Sequence, residues 1–186
     1  RTRRSSDLGR GAPGPVAIPE AGKADLVGET VLVTAGGTRE AIDPVRFIGN
    51  RSSGRMGYAV AEAARRRGAR VILITAPTAL RCPEGCEVVR VVSAEEMREA
   101  VMARVSEASV VVMAAAVSDY RVRDVAAQKM KREGPRVLEL EATEDILSEV
   151  VTRRGVGTLV IGFAAETENV LANGRAKLER KGVDAE

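Results

Sequence analysis

The chain has 186 residues, 45% of them apolar, which suits one domain with a core of its own. Two Phe, two Tyr and no Trp mean that this core is built from Val, Ile, Leu and Ala. No histidine is present, which excludes Ser-His-Asp triads, Cys-His pairs and histidine general bases; catalysis is expected to rest on positioning and on charge supplied by Lys, Arg, backbone amides or a metal.

The formal net charge is +3, and residues 1–25 hold five basic groups against three acids, leaving 24 against 23 in the rest. A nearly neutral body argues against a nucleic-acid partner. No apolar run approaches the ~20 residues of a membrane span, and no signal-peptide core follows the N-terminal arginines. The expectation is a cytoplasmic protein without a membrane partner. Cys82 and Cys86, with no histidine to complete a four-ligand zinc site, read as free surface thiols.

Residues 1–25, rich in Arg, Ser, Gly and Pro, read as a linker or disordered arm, with order beginning near Leu26. Thr30 to Thr34 is a short β-branched strand. Met56, Ala59, Val60, Ala63 and Ala64 then recur at helical spacing, and Gly68 closes that helix. Arg70 to Thr75 and Val88 to Val92 read as further strands. Ser93-Ala-Glu-Glu96 is a capping box opening a helix with Met97, Ala100, Val101, Val105 and Ala108 on its apolar face. Ser109 to Met113 is a strand apolar on both faces. Val137 to Leu140 reads as a strand, Thr143 as the cap of a helix that turns Ile146, Leu147, Val150 and Val151 inward, and Thr158 to Ile161 as another buried strand. A final helix carries Val170, Leu171 and Leu178, with Lys177 and Lys181 on a common side. The alternation predicts an α/β fold: a Rossmann-like, three-layer, mainly parallel, doubly wound sheet.

The stretch that asks for a function is Val33 to Gly57, VTAGGTREAIDPVRFIGNRSSGRMG. One Gly-Gly pair after a strand is what any tight strand-to-helix turn requires. The second cluster, from Gly49 to Gly57, stacks amide donors and small residues where a connecting loop needs few, and such a loop can wrap an anion. Gly49 to Met56 has the spacing of a phosphate-binding G-x-x-x-x-G-K-[ST] loop, but Arg55 and Met56 stand where lysine and the hydroxyl belong. A dinucleotide fold wants an acidic residue at the end of the second strand, and Leu73-Ile-Thr-Ala-Pro77 has none. In doubly wound sheets ligands collect beyond the carboxyl ends of the strands. Gly36-Gly37, Ala114 to Asp119 and Gly162-Phe163 each follow a strand directly, so all three should open on one edge, with Lys129, Lys177 and Lys181 available to phosphates.

Four segments in this order, VTAGGTREAIDPVRFIGNRSSGRMG, AAAVSDY, KMK and GFAAET, resemble phosphopantothenoylcysteine synthetase of the bacterial type, a family often fused behind a flavin-dependent decarboxylase in coenzyme A biosynthesis. The resemblance covers roughly Leu26 to Glu186. It implies that residues 1–25 are the tail of the linker from a decarboxylase half and that 26–186 form the synthetase domain, shortened at its C-terminus relative to the family. It implies a ligase that activates the carboxylate of 4′-phosphopantothenate with CTP and then joins it to L-cysteine. Mg2+ accompanies the triphosphate, metal ligands are unassigned, and FMN enters only with the decarboxylase half. A homodimer is expected. The resemblance assigns catalysis to Asn50 and Lys129, with Lys131 as a second charge. Substrate contacts fall to Arg46, Asn50, Ser52, Ser53 and Gly54. The nucleotide would meet Gly36, Gly37, Met113, Ala114, Ala115, Asp119, Lys129, Phe163, Lys177 and Lys181. It would also meet Glu144, Asp145, Ile146 and Leu147, where the family's N-P-D-I segment reads Thr143-Glu-Asp-Ile146 and lacks its proline. Two other readings stay open: an NAD(P)-dependent reductase on a similar sheet, for which Tyr120 is the one phenol on a plausible loop, and a non-catalytic nucleotide-binding module.

Overall fold

A computed structural model describes residues 24–163 and 182–185. The final predicted helix, with Lys177 and Lys181, and nearly all of the predicted N-terminal arm lie outside the described residues. At its centre is a five-stranded, all-parallel sheet in the order β5-β4-β1-β6-β9. Its strands are β1 (Thr30–Ala35), β4 (Arg70–Thr75), β5 (Glu87–Arg90), β6 (Val110–Met113) and β9 (Leu159–Gly162). Strand order reverses at β1, which pairs with β4 on one side and β6 on the other, and that reversal opens a crevice beyond the carboxyl ends.

Each central strand is apolar on both faces because helices cover both. Val31, Val33, Val71, Leu73 and Val112 pack with Tyr58, Ala61 and Ala64 of α1 (Arg55–Arg66). Leu32, Ile72, Val111 and Val160 face Met97 and Val101 of α2 (Ala94–Arg104) and Ile146 and Val150 of α3 (Ile146–Arg153). The fold is therefore the three-layer α/β, Rossmann-like arrangement that the alternation of elements predicts. No helix among the described residues is long and apolar enough to cross a membrane.

The inward face of α1 differs from the sequence expectation. Ala59 and Ala63 are exposed and Met56 is 45% exposed, while Gly57, Tyr58, Ala61 and Ala64 are buried. The face is set by Gly57: a Cβ there would lie 2.7 Å from both the Ala35 Cβ and the Thr34 carbonyl oxygen, so only glycine lets the helix rest on β1. Gly54, at φ +73°, forms the N-cap in a left-handed conformation.

The Ser93 half of the capping box at α2 is present, and Glu96 reaches one residue past the cap. Ser93 Oγ accepts from the Glu96 amide at 3.1 Å, and Glu96 reaches back to the Val92 amide at 2.6 Å. Helix α3 is capped instead by Asp145, whose carboxylate accepts from the Ser148 amide at 3.2 Å. Thr143, the expected cap, donates to the Ser118 carbonyl at 2.6 Å.

Two small antiparallel pairs stand apart from the main sheet. The first joins β2 (Arg39–Ala41) to β3 (Phe47–Gly49), and the second joins β7 (Tyr120–Val122) to β8 (Leu140–Ala142). The strand expected at Val137 to Leu140 starts only at Leu140, and Val137 is 90% exposed. Strands of three residues carry too little periodicity to show in a sequence. The first pair is held by tertiary bonds instead: the Arg39 amide donates to the Val92 carbonyl, and buried Glu40 accepts from the Ala94 amide at 3.0 Å.

Candidate active site

Beyond the carboxyl ends of β1, β6 and β9 lies a cleft of about 940 Å³. Its lining comes from three places: Asn50, Arg51, Ser52 and Met56 from the second glycine cluster and the start of α1; Met113 to Asp119 from the end of β6; and Thr143 to Leu147 with Phe163 from the entry to α3 and the end of β9. The size suits a nucleotide-sized ligand.

One wall is shaped by buried threonines. Thr34 and Thr38 are fully buried, and their hydroxyls accept from the Ala115 amide at 3.1 Å and the Ser118 amide at 2.9 Å. Ala116 bridges the same two loops, donating to the Gly36 carbonyl at 2.8 Å and accepting from the Thr38 amide at 3.3 Å. Thr143 holds the far side of this segment through the Ser118 carbonyl, and its own amide donates to the Asp119 carbonyl. These bonds satisfy backbone groups that would otherwise be orphaned by burial, and they leave small Ala side chains lining the cleft.

Asn50 stands at the rim, where its amide donates to the Val117 carbonyl at 3.0 Å. It is placed by the β2-β3 hairpin, which ends one residue before it, and by the close approach of Gly37, whose Cβ position lies 2.7 Å from the Asn50 carbonyl oxygen. Three acidic residues, Asp119, Glu144 and Asp145, also line the cleft. Glu144 meets Arg121 at 3.2 Å, and Asp145 also accepts from the Ser148 hydroxyl at 2.8 Å.

Eleven of the sequence-predicted site residues line this cleft: Asn50, Ser52, Met113, Ala114, Ala115, Asp119, Glu144, Asp145, Ile146, Leu147 and Phe163. Gly36, Gly37, Ser53 and Gly54 stand behind or beside the lining. Arg46 is turned toward Asp43, which its guanidinium binds through two nitrogens, and it also donates to the Met130 carbonyl at 3.0 Å. Lys129 and Lys131 are exposed on the segment tied down at Met130 and are not part of the lining. The sequence reading missed Arg51, Met56, Ala116, Val117, Ser118 and Thr143; four of these adjoin a residue that it named, and Met56 and Val117 lie two positions from one. The signal was therefore contiguity along the motifs.

Comparison with known proteins identifies the family and supports the fold. The family model for the DNA/pantothenate metabolism flavoprotein C-terminal domain matches residues 26–185. The coenzyme A biosynthesis bifunctional protein CoaBC of Mycobacterium tuberculosis is 54% identical over 172 residues, covering 86% of this chain and 41% of that protein. Its counterpart in Bacillus subtilis is 48% identical over 163 residues, covering 87% and 40%. The chain thus spans about two fifths of the length of these curated relatives. Among solved structures, the C-terminal domain of a coenzyme A biosynthesis bifunctional protein CoaBC superposes with a TM-score of 0.78 at 44% identity, covering 88% of this chain and 79% of that one. With the family model matching most of its length, the chain belongs to the family of DNA/pantothenate metabolism flavoprotein C-terminal domains.

Proposed function

We propose that this domain is a phosphopantothenate–cysteine ligase of coenzyme A biosynthesis, using CTP as the activating nucleotide. The observation that carries the reading is the convergence of the glycine-rich motif, the Ala114 to Asp119 segment, the Thr143 to Leu147 segment and Phe163 on one cleft at the strand-order reversal. The names of the relatives place them in coenzyme A biosynthesis, and the histidine-free composition suits the reaction.

In the first step a carboxylate oxygen of 4′-phosphopantothenate attacks the α-phosphorus of CTP in line and pyrophosphate leaves. In the second, the amine of L-cysteine attacks the acyl carbon, CMP leaves with the electrons of the acyl–phosphate bond, and the amine proton passes to solvent. Neither step needs a side-chain nucleophile; both need positioning and charge. The small Ala114–Ala116 wall, with its backbone held by Thr34 and Thr38, gives a flat ligand close access to the main chain. Asn50, on the rim, supplies an amide to the acyl-cytidylate as charge develops on its oxygen. Lys129 serves the triphosphate, and the Lys177 and Lys181 contacts are proposed with it.

Asp119 and Glu144 offer hard oxygen donors suited to Mg2+, yet no group of three metal-ligating side chains occurs among the described residues. A cation carried mainly on nucleotide oxygens, where it would neutralise phosphate charge, would take Asp119 as its protein carboxylate. FMN is assigned to the decarboxylase half of the longer relatives and not to this cleft. A cytoplasmic homodimer completes the reading; exposed Tyr120, Val137 and Leu140, on and beside β7 and β8, offer apolar surface to a second copy.

The test is product formation. Incubation with 4′-phosphopantothenate, L-cysteine, Mg2+ and CTP should give phosphopantothenoylcysteine by mass spectrometry, with one CMP and one pyrophosphate per turnover and less product from ATP. Nucleotide binding without product would overturn the ligase reading in favour of a binding module.

A further inference from the structure

The segment carrying Lys129 has little packing of its own. Residues 127–129 and 131–140 are exposed, and no helix or strand covers 123–139. Yet it is tied to the β2-β3 hairpin at defined points. The Ala126 amide donates to the Ile42 carbonyl at 3.0 Å. At Met130 both backbone groups are taken by side chains of the hairpin turn: its amide donates to Asp43 Oδ2 at 3.2 Å, and its carbonyl accepts from the Arg46 guanidinium at 3.0 Å. Asp43 and Arg46 are themselves joined side chain to side chain. The other Asp43 oxygen accepts from the Val45 and Arg46 amides at 2.9 and 2.8 Å, which fixes the turn as an Asx turn.

The Asp43 side chain has no exposure to solvent, and the Arg46 guanidinium holds its carboxyl far below the usual carboxylate range. A turn that needed only its two amides would be served by asparagine. A buried carboxylate whose second oxygen is spent on Arg46 and Met130 has a further purpose.

We propose that Asp43 and Arg46 form a clamp on the Met130 peptide, which sets where Lys129 and Lys131 stand relative to the cleft. Asp43 is then a positioning residue that acts through Lys129, and Arg46 closes the clamp from the other side. The catalytic half of this inference rests on the ligase reading; the geometric half does not. The same hairpin runs on through Gly49 into Asn50, so one buried carboxylate links the placement of the lysine segment to the placement of the rim amide.

The clamp brackets peptide bonds that trypsin recognises, those after Lys129, Lys131 and Arg132, so limited proteolysis reads it directly. Asp43→Asn keeps an oxygen for the turn and removes the charge. Arg46→Leu removes the carbonyl contact and leaves the turn oxygen in place. Each variant should raise cleavage after Lys129 and Lys131 at least tenfold relative to cleavage after Arg65 and Arg66 in α1, with fragments assigned by mass. General unfolding would raise both together, and that result, or unchanged cleavage in both variants, would overturn the clamp. Where the parent makes product, Asp43→Asn should lower kcat at least tenfold while changing KM for 4′-phosphopantothenate less than threefold. Added to Lys129→Gln it should cost little more, because the two act as one unit. Additive losses would contradict action through Lys129. A parent with selective protection and no ligase activity sustains the clamp and overturns the ligase reading.

Discussion

The two regions that would flank a bound nucleotide are held in opposite ways. The Ala114 to Asp119 wall follows β6 directly, and fully buried Thr34 and Thr38 fasten it from beneath while Thr143 fastens it from the side. The Ala126 to Lys131 segment has no core beneath it and hangs on the Ile42 carbonyl and the Asp43–Arg46 clamp. A wall that selects a ligand by shape gains from having one conformation, and buried hydrogen bonds supply that. The lysine segment instead depends on a few directed hydrogen bonds, and those at Met130 run to a buried carboxylate and the guanidinium paired with it. On the ligase proposal, the difference would place shape selection in the threonine-backed wall and the triphosphate charge contact in the clamped segment.

Substitutions on the two sides should therefore separate activity from stability. Lys129→Gln, on the clamped segment, should lower pyrophosphate release by about 10²- to 10³-fold, the loss typical of one charge-stabilising group, with an unchanged melting temperature. Steady-state kinetics beside a thermal melt checks this. Gly57→Ala strikes beneath the wall, because the added Cβ must displace β1 at Ala35; it should destabilise the fold by about 3 kcal/mol, the upper end of overpacking costs, in urea unfolding. Thr38→Val leaves the buried Ser118 amide without its acceptor and should cost about 2 kcal/mol, together with weaker nucleotide binding by calorimetry. Equal stability losses from Thr38→Val and Lys129→Gln would erase the distinction between the regions.

A control away from both regions is Glu62 on α1. Its hydrogen bonds to Arg65 and Arg66 lower its pKa from 4.5 to about 2. A carboxylate depressed in the folded state contributes stability that is complete above pH 4.5 and lost as the pH falls toward 2. Glu62→Gln should flatten the dependence of melting temperature on pH in that window and leave kinetics at neutral pH untouched.

The main sheet was legible because each buried strand is a continuous apolar run, and α2 because its capping box is local chemistry written in four residues. The inward face of α1 was misread for a physical reason: its key contact is made by Gly57, which counts as no hydrophobe and matters for the side chain it lacks. The β2-β3 and β7-β8 pairs were missed because three-residue strands are selected by tertiary partners such as the Val92 carbonyl and the Ala94 amide. At the site, motif segments were legible as blocks, while neighbours of the named residues, such as Ser118 and Thr143, were missed because their part in the lining is set by the tertiary bond between them. The Asp43–Met130 contact was not legible, since 87 residues separate its partners and one of them contributes only a backbone amide.

The most direct measurement is pyrophosphate release from CTP with cysteine withheld, with and without 4′-phosphopantothenate. The account predicts release only when 4′-phosphopantothenate is present, accompanied by an acyl-cytidylate that added cysteine converts to product and CMP. Release without 4′-phosphopantothenate, or none until cysteine is added, would contradict activation of the carboxylate as the step performed in this cleft.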